Sequence, residues 1–366
     1  MGMKQWRDVL HIVSGKNQRT VENPNGKYPI YGSGGLMGYA DDYLCEAGTT
    51  IVGRKGTINR PIFVNEPFWN IDTAFGVVPD KGLDPKYLYY FCVHFNFMPL
   101  DKSTGRPSLA KSDLLKIEMP VPPLPEQERI VARIEELFSQ LDAGVETLKK
   151  TKAQLAVYRQ AVLKEAFSDC ENYVTIASIT QHVTDGDHMP PPKADSGVPF
   201  IMISNIEGNA ICWKNTAFVD RKYYENIDSK RKPQIGDVLY TVTGSYGIPV
   251  LVDFDKEFCF QRHIALLRPK EIIEQKFLYY ALMEPGVYAQ ATKGATGTAQ
   301  KTVGLGVLRK IEIPFIADRS KQMRIVKNIR SKLSVCNSIE QTVDTALQQA
   351  EVMRQSILKQ AFEGEL

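Results

Sequence analysis

A chain of 366 residues, 43% hydrophobic and 24% charged, has the make-up of an ordinary globular protein and length for two domains at roughly 100–200 residues each. Its 45 basic residues against 42 acidic ones leave a formal charge of +3, which permits nucleic acid as a partner and excludes a histone-like polycation. No run approaches the ~20 apolar residues of a membrane span, and the opening Met1-Gly2-Met3-Lys4-Gln5-Trp6 has no apolar signal core. Six cysteines (Cys45, Cys92, Cys170, Cys212, Cys259 and Cys336) with no Cys-x-x-Cys pair read as reduced thiols of a cytoplasmic protein.

Residues 1–122 read as a mixed domain. Turn signals are dense at Pro24-Asn25-Gly26, Gly32-Ser33-Gly34-Gly35, Gly53-Arg54-Lys55-Gly56 and Thr104-Gly105-Arg106-Pro107. Short apolar runs between them, such as Thr49-Thr50-Ile51-Val52 and Ile62-Phe63-Val64, predict strands. An aromatic-rich helix is expected from Pro85 to Phe97. Pro120-Val121-Pro122-Pro123-Leu124-Pro125 then ends the domain, because proline cannot donate to a ladder and holds its predecessor extended.

Residues 123–167 are a helical spacer. Ile134, Leu141, Leu148, Leu155 and Val162 recur every seven residues, and Ile130, Leu137, Phe138, Val145 and Tyr158 fill the adjoining stripe. The spacing predicts a coiled-coil-like helix of about 42 residues, roughly 63 Å long. Residues 168–316 are again turn-rich and strand-like, and Pro314 marks a second hinge. Residues 317–366 repeat the spacer, with Ile329, Cys336, Val343, Ala350 and Ile357 as the heptad positions and Ile339, Leu347 and Met353 beside them.

The second half restates the first. Arg159-Gln160-Ala161-Val162-Leu163-Lys164-Glu165-Ala166-Phe167 returns as Arg354-Gln355-Ser356-Ile357-Leu358-Lys359-Gln360-Ala361-Phe362. Lys116-Ile117-Glu118-Met119-Pro120 returns as Lys310-Ile311-Glu312-Ile313-Pro314, and Lys86-Tyr87-Leu88-Tyr89-Tyr90 as Lys276-Phe277-Leu278-Tyr279-Tyr280. A period near 195 residues is far beyond the ~20–50 of a solenoid, so a whole module, globular part plus helix, is duplicated. The fold expected is α+β: two similar globular domains of short strands and long loops, separated by two long helices packed as an antiparallel coiled coil, with an internal pseudo-twofold repeat. The narrow, long stripes suit a partner helix; the alternative is that each stripe lies on its own globular domain.

No catalytic constellation emerges. His11, His94, His182, His188 and His263 show no metal-ligand spacing, and no phosphate-binding Gly-x-x-x-x-Gly-Lys-Ser/Thr loop occurs. Tyr31-Gly32-Ser33-Gly34-Gly35 lacks a following helix signal and reads as a turn, Met189-Pro190-Pro191-Pro192 reads as a loop, and Trp69 and Trp213 as core or rim residues.

The layout and the two helices resemble the specificity subunit of type I restriction–modification systems. Pro122-Pro123-Leu124-Pro125-Glu126-Gln127-Glu128-Arg129-Ile130-Val131 is similar to that family's central opening. Leu358-Lys359-Gln360-Ala361-Phe362-Glu363-Gly364-Glu365-Leu366 is similar to its ending. The resemblance covers the whole chain, with one departure. Ala317-Asp318-Arg319-Ser320-Lys321-Gln322-Met323 stands where a proline–glutamate–glutamine opening is usual, so this helix start reads as degraded.

The resemblance implies that each globular part is a target recognition domain reading one half of a bipartite asymmetric site in double-stranded DNA. The helices would set the half-site spacing and dock two modification subunits. These subunits bind S-adenosylmethionine and methylate adenine, and restriction subunits can join. It also implies that this chain carries no active site, cofactor or metal of its own and does not engage a membrane.

Base readout needs Arg or Lys facing guanine and Asn or Gln facing adenine, and phosphate contacts need basic or hydroxyl side chains on exposed loops. The candidates in the first domain are Arg54, Lys55, Asn59, Arg60, Lys102, Thr104 and Arg106. In the second they are Ser245, Tyr246, Gln261, Arg262, His263, Lys293, Thr296, Thr298 and Lys301. At the shift of 190 that pairs Pro79 with Pro269, Ile71-Asp72-Thr73 corresponds to Gln261-Arg262-His263, and Gly105 is set opposite Gly297. Two other classes stay open: a coiled-coil scaffold whose end domains bind a ligand other than DNA, and a self-contained methyltransferase or nuclease. Salt-sensitive duplex binding argues against the first; methyl transfer by the isolated chain decides the second.

Overall fold

The computed structural model describes residues 2–186, 191–192 and 194–366; Met1, His188 and the pair Met189-Pro190 lie outside the described residues. The chain divides into two units, Met1–Lys150 with Val343–Leu366, and Thr151–Thr342.

In the first unit the elements are β1 (Met3–Gln5), β2 (Leu10–Ser14), β3 (Tyr28–Gly32), β4 (Gly35–Ala40), β5 (Thr49–Gly53), β6 (Ile62–Val64), β7 (Trp69–Asn70), β8 (Ala74–Pro79), α1 (Pro85–His94), α2 (Lys111–Leu114) and β9 (Glu118–Pro120). They lead into α3 (Leu124–Ala166). β5 carries four β-branched residues in a row, all buried, as a strand covered on both faces requires. It lies inside an antiparallel sheet of order β2-β8-β5-β6, beside a three-stranded sheet β4-β3-β7 and the pair β1-β9. α1 begins where the Asp84 carboxylate accepts Tyr87 N–H and Pro85 takes the first helical position, both standard start signals. It ends at His94, three residues before the predicted Phe97, because Phe95 turns extended.

The second unit holds β10 (Asn172–Thr175), α4 (Ile176–Ile179), β11 (Thr180–Asp185), β12 (Val198–Ile201), β13 (Ile206–Glu207), β14 (Ala210–Ile211), β15 (Ala217–Val219) and α5 (Arg221–Asn226). Next come β16 (Val238–Thr241), β17 (Pro249–Leu251), β18 (Cys259–Phe260), β19 (Ile264–Pro269), α6 (Gln275–Leu282), α7 (Pro285–Gly294), α8 (Leu305–Lys310), β20 (Glu312–Phe315) and the start of α9 (Arg319–Glu363). Its sheets, β11-β19-β16-β17, β15-β12-β18 and β10-β20, reproduce those of the first unit strand for strand. The parallel pairing of β3 with β7 returns as that of β12 with β18. The added hairpin β13-β14 has no counterpart.

Each unit takes part of both long helices, which run antiparallel. In the first unit Arg129 donates to the Leu366 carbonyl at 2.8 Å. There too the Arg354 guanidinium pairs with Asp142 and sits 4.3 Å from the Phe138 ring. In the second, Arg159 pairs with Glu340 at 2.6 Å and Lys332 with Glu165 at 2.9 Å. Residue numbers fall on one helix as they rise on the other. Arg159 and Arg354, equivalent in the sequence repeat, are therefore both clasps between the helices.

The heptad positions Ile134, Leu155, Val162, Ile329, Cys336, Val343, Ala350 and Ile357 are buried, while Leu141 and Leu148 are half-buried. The two expected uses of the stripe are combined. Ile130, Ile134, Ile357, Leu358 and Phe362 enter one core with Trp6, Val52, Phe75 and Tyr87. Leu163, Phe167, Val326 and Ile329 do the same with Val238, Tyr240 and Phe277. Tyr158, Ile339 and Met353, expected beside the stripe, are exposed. Each lies three residues after a heptad position; Leu137, at the same offset from Ile134, is half-buried because the globular core reaches it.

The start of α9 is not degraded. Asp318 accepts N–H bonds from Ser320 at 2.8 Å and Lys321 at 3.3 Å, a carboxylate cap in place of the expected opening. Gln127 and Gln322, 195 residues apart, are both completely buried. Gln127 accepts from Asp84 N–H at 2.8 Å and donates to the Gly82 and Pro122 carbonyls at 2.9 and 2.8 Å. Gln322 accepts from Glu274 N–H at 2.7 Å and donates to Ile272 and Ile316 at 3.0 and 2.7 Å. The same amide thus ties a long helix to the same turn in both copies.

Candidate nucleic-acid interface

In the first unit the chain leaving β5 is gathered against two other loops. Arg54 and Lys55 N–H both donate to the Thr73 carbonyl at 2.8 and 3.1 Å, Gly56 N–H to Pro107 at 2.8 Å, and Leu109 N–H back to Arg54 at 2.8 Å. Ser33 Oγ donates to the Lys55 carbonyl at 2.7 Å, bringing in the β3-β4 turn. The loops are fixed by backbone bonds, which frees side chains to point outward. Lys55, Arg60, Lys102, Thr104 and Arg106 are exposed. The Arg106 guanidinium covers Gly56, where a Cβ would stand 2.7 Å from Nη2 and the backbone has φ +88°. Only glycine meets both conditions.

Three of the predicted residues are partly committed. Arg54 packs 5.6 Å from the Phe75 ring and reaches the Asp72 carbonyl at 3.5 Å. Both ends of the Asn59 amide are occupied, Nδ2 donating to Asn96 Oδ1 and Oδ1 accepting from Phe97 N–H, each at 2.7 Å. Lys102 pairs with Asp113 at 2.7 Å, and that bond holds the Asp113 carboxyl below its usual range.

The second unit builds the same platform. Val242 N–H donates to His263 at 2.9 Å, Gly244 N–H to Lys301 at 3.0 Å and Val303 N–H to Val242 at 2.8 Å. Thr302 Oγ1 donates to Thr243 Oγ1 at 3.2 Å. Between the loops opens a cleft of about 340 Å³ lined by Asp185, Thr243, Arg262, His263, Gln300 and Leu305 among others. Arg262, Ser245, Thr296, Thr298 and Lys301 are exposed, and Gln261 is half-buried. Burial, and then the neighbouring Arg262 charge, push the His263 pKa down, so it serves as a neutral donor and acceptor. Tyr246 stacks on Tyr288 with centroids 5.8 Å apart and planes at 13°, and its hydroxyl donates to Thr292 Oγ1 at 3.3 Å. Lys293 lies in the last turn of α7, not in the loop where it was expected.

The predicted correspondence of Thr73 with His263 is matched by hydrogen bonds. The bond from Arg54 N–H to Thr73 matches that from Val242 N–H to His263, and the bond from Leu109 to Arg54 matches that from Val303 to Val242. Trp69 is buried and donates to the Lys16 carbonyl at 3.1 Å; Trp213 packs on Phe254 and Phe258. Ser33, Thr73, Asp185 and Gln300 were not singled out from sequence. Thr73 alone carried a signal, its register with His263. Among the described residues no three His, Cys, Asp or Glu side chains come together as metal ligands, and no helix is long and apolar enough to cross a membrane. The cysteines are free thiols, and burial lifts Cys45 to a pKa of about 12.

The model of the type I restriction modification DNA specificity domain matches residues 1–156 and 187–349. The chain belongs to this family. It is 24% identical over 351 residues to the EcoBI specificity subunit of Escherichia coli, covering 86% of this chain and 73% of that one. It is 23% identical over 371 residues to the putative specificity subunit S.HindORF215P of Haemophilus influenzae, covering 95% and 92%. Among solved structures, one from a study of assembly and conformational transition of the type I R-M system superposes with a TM-score of 0.78 at 17% identity, over 100% of this chain and 98% of that one. The HsdS subunit from Thermoanaerobacter tengcongensis superposes with a TM-score of 0.56, also at 17% identity, over 100% and 97%. As a specificity-subunit family member, the chain is a non-catalytic, sequence-recognising component of a restriction–modification system.

Proposed function

We propose that each globular part, residues 1–122 and 168–316, reads one half of a bipartite, asymmetric site in double-stranded DNA. α3 and α9 set the separation of the halves and form the docking surface for two modification subunits. S-adenosylmethionine is bound by those partners and not by this chain, and restriction subunits join the same complex. One observation carries the reading: a platform of converging loops with exposed Lys, Arg and Thr side chains is built twice on the same hydrogen-bonded frame. Bidentate Arg or Lys contacts to guanine supply base discrimination, and hydroxyls with the remaining cations hold phosphates. Linking two weak readers on one chain raises the affinity of the second contact through effective concentration. A scaffold for another ligand gives no reason for cations at both loop clusters.

The test is a paired insertion of one heptad into α3 and α9, followed by genome-wide mapping of methylated adenines with the modification subunit co-expressed. Seven residues add about 10 Å of helix, or roughly three base pairs at 3.4 Å each. The mapped gap should lengthen by that amount, or methylation should vanish where rotational phase is lost. An unchanged gap overturns the spacing role.

A further inference from the structure

The hairpin β3-β4 is unusual for a sheet edge. β4 is the outer strand of β4-β3-β7 and reads Gly35-Leu36-Met37-Gly38-Tyr39-Ala40, with no charge along it. Soluble proteins normally guard such an edge with Lys, Pro or a covering loop. Leu36 is 54% exposed and Met37 59% exposed, and Met37 is the extra residue of a β-bulge, since Tyr31 pairs with Leu36 and Ile30 with Gly38. The bulge presents two adjacent apolar side chains to solvent. One side of the turn is open: the two-residue turn Ser33-Gly34 joins Gly32 to Gly35, and no atom lies within 4 Å of a Cβ built at Gly34 or Gly35, while Ser33 is buried against the loop cluster.

This tip belongs to the reading platform. Met37 Sδ would lie 2.8 Å from a Cβ at Gly32, beside Thr73 Oγ1. Thr73 is the residue whose carbonyl gathers Arg54 and Lys55, and Ser33 Oγ is bonded to the Lys55 carbonyl. A bare apolar point is thus set at the edge of a loop cluster bearing Lys55 and, through Gly56, Arg106. Two acids flank this hairpin, Glu22 and Asp41: residues 21–23 cover the edge of β4 at Tyr39 and Ala40, and Glu22 Oε1 would stand 3.9 Å from a Cβ at Gly38. The second unit has no such tip. Its strands β12 and β15 are joined by residues 202–216, which fold into β13-β14 and pack toward Pro249.

We propose that the β3-β4 tip is a wedge, Leu36 with Met37 beside it, inserted between two base pairs of the duplex at the first half-site while the neighbouring cations hold the phosphates. Leu and Met are among the side chains that proteins insert at base steps to unstack and kink DNA. This rests on the DNA-reading function proposed above and adds to it a deformation confined to one half-site.

The experiment uses the full chain in complex with its modification subunit and duplexes carrying the mapped target. 2-Aminopurine is moved step by step through the first half-site, and end-to-end energy transfer reports the bend. The wild-type complex should give a several-fold fluorescence rise at one step and a shortened end-to-end distance. In the Leu36→Ser, Met37→Ser double variant both signals should fall to the level of neighbouring steps, with affinity reduced roughly tenfold. Leu36→Phe alone should keep them. Signal from a base flipped into the modification subunit should persist in every variant and serves as an internal control. An unchanged unstacking profile in the double variant overturns the wedge. So does an affinity loss with unaltered bend, or sedimentation showing that β4 pairs with a second copy. Failure of the wild-type complex to bind any duplex overturns instead the reading function. Thermal melting of the double variant should match wild type, since both side chains are exposed.

Discussion

Gln127→Ala offers the sharpest test of how a long helix is fixed to a reading domain. The side chain is fully buried and makes three hydrogen bonds, to Asp84 N–H and to the Gly82 and Pro122 carbonyls. Truncation leaves those three backbone groups without partners and opens a small void. Each unpaired group costs about 1–3 kcal/mol, reduced where water can enter, so a total loss of roughly 2–5 kcal/mol is expected. Gln127→Glu should be no better at neutral pH, because a carboxylate oxygen would then face two carbonyl oxygens. Gln322→Ala should behave alike through Glu274, Ile272 and Ile316. The two glutamines share no partner, so their effects should add. Urea unfolding followed by circular dichroism, with m checked for constancy, measures the loss. A change below about 0.5 kcal/mol for Gln127→Ala would show that the amide is a passenger and that apolar packing alone seats α3.

Arg268 and Asp237 form a two-pronged pair at 2.7–2.8 Å, with Asp237 only 2% exposed in its side chain. Arg268→Met should therefore destabilise by about 3–5 kcal/mol through the stranded carboxylate, while the double change with Asp237→Leu recovers most of it, as calorimetry would reveal. On the DNA side, Arg106→Ala or Arg262→Ala should weaken target binding by ~1–3 kcal/mol and relax one base position if the guanidinium reads guanine. A uniform loss with a salt slope smaller by about one would instead mark a phosphate contact. Burial is the main cause pushing His94, His182 and His263 below their usual pKa, so the folded chain takes up these protons less readily than the unfolded one. Their contribution is complete above pH ~6.5 and declines as pH falls toward the lower folded values. The melting temperature should drop between pH 7 and 5.5, and His94→Gln with His182→Gln should flatten that drop.

The repeat, both helices and the hinge prolines were legible because each is written in local pattern. Heptad spacing exposes a seam, proline stops an element, and a duplicated nonapeptide reveals a duplicated module. Legibility failed where the partner is remote in sequence. Nothing near Gln127 announces that its amide will meet Gly82 and Asp84, although its recurrence at Gln322 was a usable signal. Asn59 looked free to read a base, yet Asn96 and Phe97 occupy it. Tyr158, Ile339 and Met353 are apolar enough to suggest a wide stripe, yet they stay in water, while Leu137 and Phe138 of the same stripe are covered where a globular core reaches the helix.

The places where the copies differ form a pattern with a physical reason. In sheet register Asp237 and Arg268 hold the positions of Thr49 and Val78, and the two-residue turn Ser33-Gly34 becomes residues 202–216. What stays constant is the sheet order, the parallel β3-β7 type of pairing and the glutamine at the helix start. A reader must vary the side chains it presents without disturbing the helix that holds it. A frame closed by backbone hydrogen bonds and one buried amide meets that need, because loop bonds such as Arg54 to Thr73 and Val242 to His263 use no side chain at all. Exchange of loop residues between copies should then alter the sequence read while leaving stability nearly untouched. Truncation of Gln127 or Gln322 should do the opposite.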